Sequence, residues 1–159
     1  MQELLDLKIV AIKTQVSEED VLNAKLALKR PAVPLKPFEK RESDTIAIVG
    51  YGSSLKETYQ KCLYFDYIMT TSGAHDFVTE KGRGPLFHVE CDPREHKAKF
   101  TEKPNDDTAY LLASTAHPKV WTNLIGLHRY RWHFDVLRHY IDLTGETILP
   151  TYGDAGQMA

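Results

Sequence analysis

The sequence predicts an α/β domain built on a mostly parallel sheet, from three observations. Short runs rich in β-branched and apolar residues recur from Asp44 onward, and segments of helical character separate them. The strand-like runs are apolar on both faces, as strands are when helices cover a sheet on both sides. Together these give a Rossmann-like three-layer domain with a mostly parallel sheet, preceded by a short N-terminal helix and a Pro-rich linker. At 159 residues, 42% hydrophobic, the chain is long enough to bury a core without disulfides or a structural metal.

The elements follow in order. Ser17-Glu18-Glu19-Asp20 reads as an N-cap with an acidic first turn, and Val21, Leu22, Ala24, Leu26 and Ala27 give an apolar helix face that ends at Lys29-Arg30. Pro31, Pro34 and Pro37 then stop the helix and favour extended chain, so residues 30–43 read as a linker. Residues 1–43 are thus the helix and linker, and residues 44–159 the main domain. Within it, strands are expected at 45–49, 66–71, 86–91, 109–114 and 130–134, with helices at 55–63, 74–81, 94–100 and 118–125. Gly82 closes one helix and Pro118 opens another. Gly153 to Ala159 reads as a glycine-containing loop opening a helix that is cut short, so the domain is expected to be truncated at its C-terminus.

Charge narrows the function classes. A net charge of -2 gives no global field for nucleic acid, and the basic cluster Lys29, Arg30, Lys36, Lys40 and Arg41 has no interleaved aromatics for base stacking. No run approaches the length of a membrane span, and the N-terminus lacks a signal peptide's basic start and cleavage site. Cys62 and Cys91 are too few and too far apart for a disulfide scaffold or paired metal motif, so the expected setting is cytoplasmic. Cys62 reads as helix packing.

The residues with chemistry sit in the loops after the strands. Gly50-Tyr51-Gly52-Ser53-Ser54 lies between the domain's first strand and its helix, where backbone amides and the helix dipole favour a phosphate. The alternative is a plain strand-to-helix turn, since neither a complete GxGxxG nor a Walker pattern is present. Ser72-Gly73-Ala74-His75 repeats the pattern after the second strand, with His75 either reaching a ligand or capping a helix. In His88-Val89-Glu90-Cys91-Asp92-Pro93, alternation places His88, Glu90 and Asp92 on one strand face. Glu90 and Asp92 are there the candidate ligands of a hard divalent cation. The alternative pairs Glu90 with Arg94 or Lys97 and lets Asp92 cap the next helix. Ser114-Thr115-Ala116-His117-Pro118 is a further small polar loop with a histidine. Recurrence of this loop type argues for one ligand across the carboxyl edge of the sheet. His128, His133 and His139 read as core or surface aromatics.

The succession Gly-Tyr-Gly-Ser-Ser-Leu, Ser-Gly-Ala, His-Val-Glu-Cys-Asp-Pro and Ala-Ser-Thr-Ala-His-Pro over residues 44–159 resembles the MptE-like domain family. That family includes archaeal hydroxymethyl-dihydropterin pyrophosphokinases, motility accessory glycosyltransferase-like proteins of flagellated bacteria, and phage proteins, the last resembling this chain most. Ser53 stands where the family usually has proline, and Ser72 where it usually has asparagine. The resemblance implies a nucleotide-binding transferase of the Mg²⁺-dependent pyrophosphokinase type. Gly50, Tyr51, Gly52, Ser53, Ser54, Ser72, Gly73 and Ser114 would hold nucleotide and phosphate, Glu90 and Asp92 would hold Mg²⁺, and His75, Asp92 and His117 would act on the transferring group. The donor would be ATP or a nucleotide sugar, and the acceptor a small molecule. The other readings are a nucleotide-sugar glycosyltransferase and a non-catalytic phage structural or recognition module, with a homo-oligomer or a phage or host protein as partner.

Overall fold

The computed structural model describes residues 16–36 and 44–150. The second half of the expected linker, residues 37–43, and the glycine-containing tail, residues 151–159, lie outside the described residues.

Helix α1, Glu18–Leu28, begins where the sequence places it. The Ser17 hydroxyl accepts from the Asp20 amide at 3.1 Å and the Asp20 carboxylate accepts from the Ser17 amide at 3.0 Å, a reciprocal cap worth about 1 kcal/mol. The buried face matches the expected one only in part. Asn23, Ala24 and Ala27 turn inward, while Leu22 is 57% exposed, because small residues let α1 lie close to the fold. Asn23 Nδ2 donates to the Thr115 carbonyl at 3.3 Å, so a polar residue anchors the helix.

The remaining elements are β1 Val33–Pro34, β2 Ile46–Val49, α2 Leu55–Cys62, β3 Tyr67–Thr71, α3 Ala74–Glu80 and β4 Phe87–Glu90. A 3-10 helix follows at Glu95–Thr101, then β5 Ala109–Ala113, α4 Pro118–Asn123, β6 Arg129–Phe134, a 3-10 turn at Asp135–His139, and β7 Ile148–Leu149. All pairings are parallel, in the order β1-β6-β5-β4-β3-β2, with β7 also on β6. This is the mostly parallel α/β sheet that the alternation predicts. Part of the expected linker differs, since Val33–Pro34 joins the sheet edge against Tyr130 and Arg131. Proline is tolerated there because an edge strand leaves one row of backbone groups unpaired.

From β2 to β6 the strands are adjacent in chain order. Right-handed crossovers between successive neighbours put their connections on one face. Register shows the same. Ala47 pairs with Ile68, Thr70 with His88, His88 with Tyr110 and Leu112 with Arg131, so these side chains share a face. Leu55 and Tyr59 of α2 and Ala74 and Val78 of α3 pack there against Ala47, Val49 and Ile68. Ala98, Val120, Trp121 and Leu124 pack there against Tyr110 and Leu112. The opposite face carries Val89, Leu111, Ala113 and Trp132, so both faces are apolar. Among the described residues no helix is long and apolar enough to cross a membrane.

Candidate functional site

Because the strands are parallel, the loops after β2, β3, β4 and β5 all emerge at the carboxyl edge of the sheet, where α/β folds bind ligands. Residues 50–54 are exposed there. A Cβ added at Gly50 or Gly52 would meet nothing within 4 Å, so the backbone faces open space. Ser54 caps α2 without spending its hydroxyl on the helix amides, which leaves it available to a ligand. A cleft of about 320 Å³ opens here, lined by Ile48, Gly50, Tyr51, Gly52, Ser54 and Thr58. The Tyr51 ring is 66% exposed, and its centroid lies 6.3 Å from that of Phe100. Lys97 and Lys99 place their ammonium groups 5.5 and 4.9 Å from the Phe100 ring centre. Sequence reasoning missed Phe100 and its two lysines. The signal was present as Lys97-Ala98-Lys99-Phe100, a basic and aromatic cluster following Asp92-Pro93.

The second loop is tight. Ser72 has φ +49°, a left-handed conformation uncommon for a residue with a side chain. At Gly73 a Cβ would come within 2.9 Å of Phe100 and 3.1 Å of Tyr51, so glycine lets both rings close over this loop. His75 corrects the expectation of a ligand contact. It is wholly buried, its Nε2 bonded to the Tyr110 hydroxyl at 3.1 Å and its Nδ1 to Asp76 at 3.2 Å. Burial lowers its pKa, with Asp76 offsetting only part of the effect. Since α3 begins at Ala74, position 75 turns toward the sheet, where its ring packs 4.8 Å from that of His88.

Glu90 and Asp92 do not form the expected cation pair. Glu90 is 1% exposed, and its Oε1 accepts from the amides of Cys91 at 3.0 Å and Asp92 at 3.1 Å. Burial pushes its carboxyl up to about 7, against the pull of those two amides, and Oε2 has no hydrogen-bond partner. Asp92 turns instead to Arg94, whose Nε and Nη2 hold its two oxygens, with Lys97 at 3.9 Å. Burial opposes ionisation of Asp92, but the bonds and charge of Arg94 outweigh it and hold the carboxyl below its ordinary range. Both Asp92 oxygens therefore already face cations. Among the described residues no three His, Cys, Asp or Glu side chains gather as a metal site.

Ser114 is also corrected. It is fully buried, and its hydroxyl pairs with His133 Nδ1 at 2.8 Å. His133 Nε2 lies 3.2 Å from Glu146, which also takes the Arg131 guanidinium at 2.7 and 3.0 Å. The order hydroxyl, imidazole, carboxylate resembles a nucleophile relay, but a serine and histidine sealed in the core have no route to a substrate. Their role is to fasten β5, β6 and the 143–147 loop together. His117 stays at the edge, half-buried. It caps α4, its Nδ1 accepting from the Lys119 amide at 3.2 Å, which puts its proton on Nε2.

No family model, curated protein or solved structure matches the chain. Of the expected site residues, the structure brings Gly50, Tyr51, Gly52 and Ser54 to the cleft and leaves Ser53 exposed beside it. Ser72, Gly73 and His117 stay at the same edge. His75 and Ser114 go to the core.

Proposed function

We propose that this protein is a nucleotide-binding transferase that holds the donor's phosphates on the Gly50–Ser54 loop. The observation that carries this reading is the exposed glycine and serine backbone lining the 320 Å³ cleft at the head of α2. Backbone amides and the positive end of a helix favour phosphate. Tyr51 offers a ring for the base. Lys97 and Lys99 gather on the Phe100 ring beside Tyr51 and bring positive charge toward the loop. His117, with its proton on Nε2, is the residue at this edge fitted to pass a proton to or from the transferring group. Transfer on this plan rests on positioning and neutralisation of charge, with no step assigned to a protein-bound metal.

The test uses Gly52→Asp. A Cβ at this position meets no atoms within 4 Å and residue 52 is exposed, so the fold should survive while a carboxylate is brought to the proposed phosphate site. Thermal shifts with ATP, AMP, CMP, UDP and nucleotide sugars are compared on the two proteins. At about one hundred times its dissociation constant, the donor should add about 2.7 kcal/mol, roughly 5–11 °C in Tm, to wild type only. The ligand giving the shift separates an ATP-dependent transferase from a glycosyltransferase. No shift with any ligand, or equal shifts in Gly52→Asp, overturns the reading.

A further inference from the structure

We propose that Arg30 and Arg129 form a second anion site, at the amino edge of the sheet, that takes a small phosphate-bearing ligand. Arg30 follows α1, and Arg129 opens β6. Both guanidiniums reach the last turn of α4, where Arg129 Nη1 donates to the Trp121 carbonyl at 3.3 Å and Arg30 Nη1 to the Thr122 hydroxyl at 3.5 Å. They therefore bond to adjacent residues of one turn, and the Arg30 charge acts on Arg129. The backbone beneath Arg30 is fixed, because the buried Arg131 donates to the carbonyls of Ala27 and Arg30, each at 3.1 Å. The Arg129 backbone is fixed by β5, opposite Tyr110.

This pair lacks what such groups normally have. Among the described residues neither guanidinium has an ion-pair partner. Arg129 Nε is buried and without an acceptor. Burial lowers the Arg129 pKa and the Arg30 charge lowers it further, so the local field is repulsive. Carbonyls at the end of a helix attract cations, which accounts for one N–H of Arg129 but not for the unsatisfied Nε or for bringing a second cation beside it. A buried N–H without a partner and two adjacent like charges are both costly, and an anion between the forks relieves both. Guanidinium forks match tetrahedral phosphate, and two of them match a dianion. The site lies at the opposite end of the sheet from the Gly50–Ser54 loop, so it stands or falls independently of the proposed function.

The experiment measures Tm against inorganic phosphate and, separately, glycerol phosphate, with sodium chloride at matched ionic strength as control. Wild type, Arg30→Gln, Arg129→Gln and Gly52→Asp are compared. At about ten times the dissociation constant, phosphate should raise the wild-type Tm by about 3–6 °C over chloride. The rise should persist in Gly52→Asp and vanish in Arg30→Gln, whose side chain makes one long hydrogen bond and whose loss leaves the fold intact. Arg30→Gln thus keeps the test valid if Arg129→Gln fails to fold. A rise with both ligands assigns phosphomonoesters, and a rise with phosphate alone assigns the free ion. No rise in wild type overturns the proposal, as does a rise that survives Arg30→Gln.

Discussion

Replacing Glu90 with glutamine should change how stability depends on pH, in a direction and amount set by its surroundings. Burial raises the carboxyl from its ordinary 4.5 to about 7, so the folded chain binds a proton that the unfolded chain has released. Stability then falls as pH rises through that window. At about 1.4 kcal/mol per unit, the loss between about pH 5 and about pH 8 is about 2.5 kcal/mol. Glu90→Gln has no such proton, and its Oε1 can still accept from the Cys91 and Asp92 amides. The unfolding free energy of the variant minus that of wild type should therefore grow by about 2.5 kcal/mol over this range. Urea unfolding at both pH values, followed by fluorescence of the buried Trp121 and Trp132, measures it. His75, His88 and His133 act oppositely. Burial lowers each below 6.5, His88 to about 3, so their contribution is present at high pH and lost on acidification. Being common to both proteins, they cancel in the difference. A flat difference would refute the reasoning, since it would mean that Glu90 ionises in place without cost.

The other tests are simpler. Glu146→Ala leaves the nearly buried Arg131 without its carboxylate and should cost about 3 kcal/mol, read by urea unfolding; a loss under about 1 kcal/mol would show that water replaces the partner. Arg131 holds the Glu146 carboxyl below its ordinary 4.5, so this contribution is present at neutral pH and lost as pH falls through the folded value. Ser72→Gly should stabilise by about 0.5–1 kcal/mol, because glycine accepts the φ of +49° without strain; calorimetry showing a lower Tm would instead mean that the serine hydroxyl holds the loop.

What the sequence revealed was mostly local. Ser17 with Asp20 marked the start of α1, Pro118 the start of α4, and Gly82, at φ +83°, the turn after α3. Each signal acts within one turn of chain. The two-residue strands β1 and β7 were invisible because they exist only through pairing with β6. Site residues failed in the same way. Nothing near Ser114 tells that register sets Ala113 beside Trp132 and so carries the next pair, Ser114 and His133, into contact. Asp92 was identified as chemically active, but the sequence offers Arg94 as a partner for Glu90, whereas its guanidinium pairs with Asp92.

The far edge of β6 is completed by two segments from opposite parts of the chain. Val33–Pro34 covers its first half and Ile148–Leu149 its second, and the Thr147 hydroxyl donates to the Leu35 carbonyl where they meet. This arrangement orders events during synthesis. The Arg30 carbonyl and its Arg131 donor are 101 residues apart, so α1 and β1 leave the ribosome about 5–20 s before the strand that receives them. Until then Ala24 lacks Leu137 and Leu143 to close on and Val33–Pro34 lacks its strand, so the nascent chain offers an unpaired segment to chaperones or to neighbouring copies. Slower translation before residue 129 would lengthen that exposure.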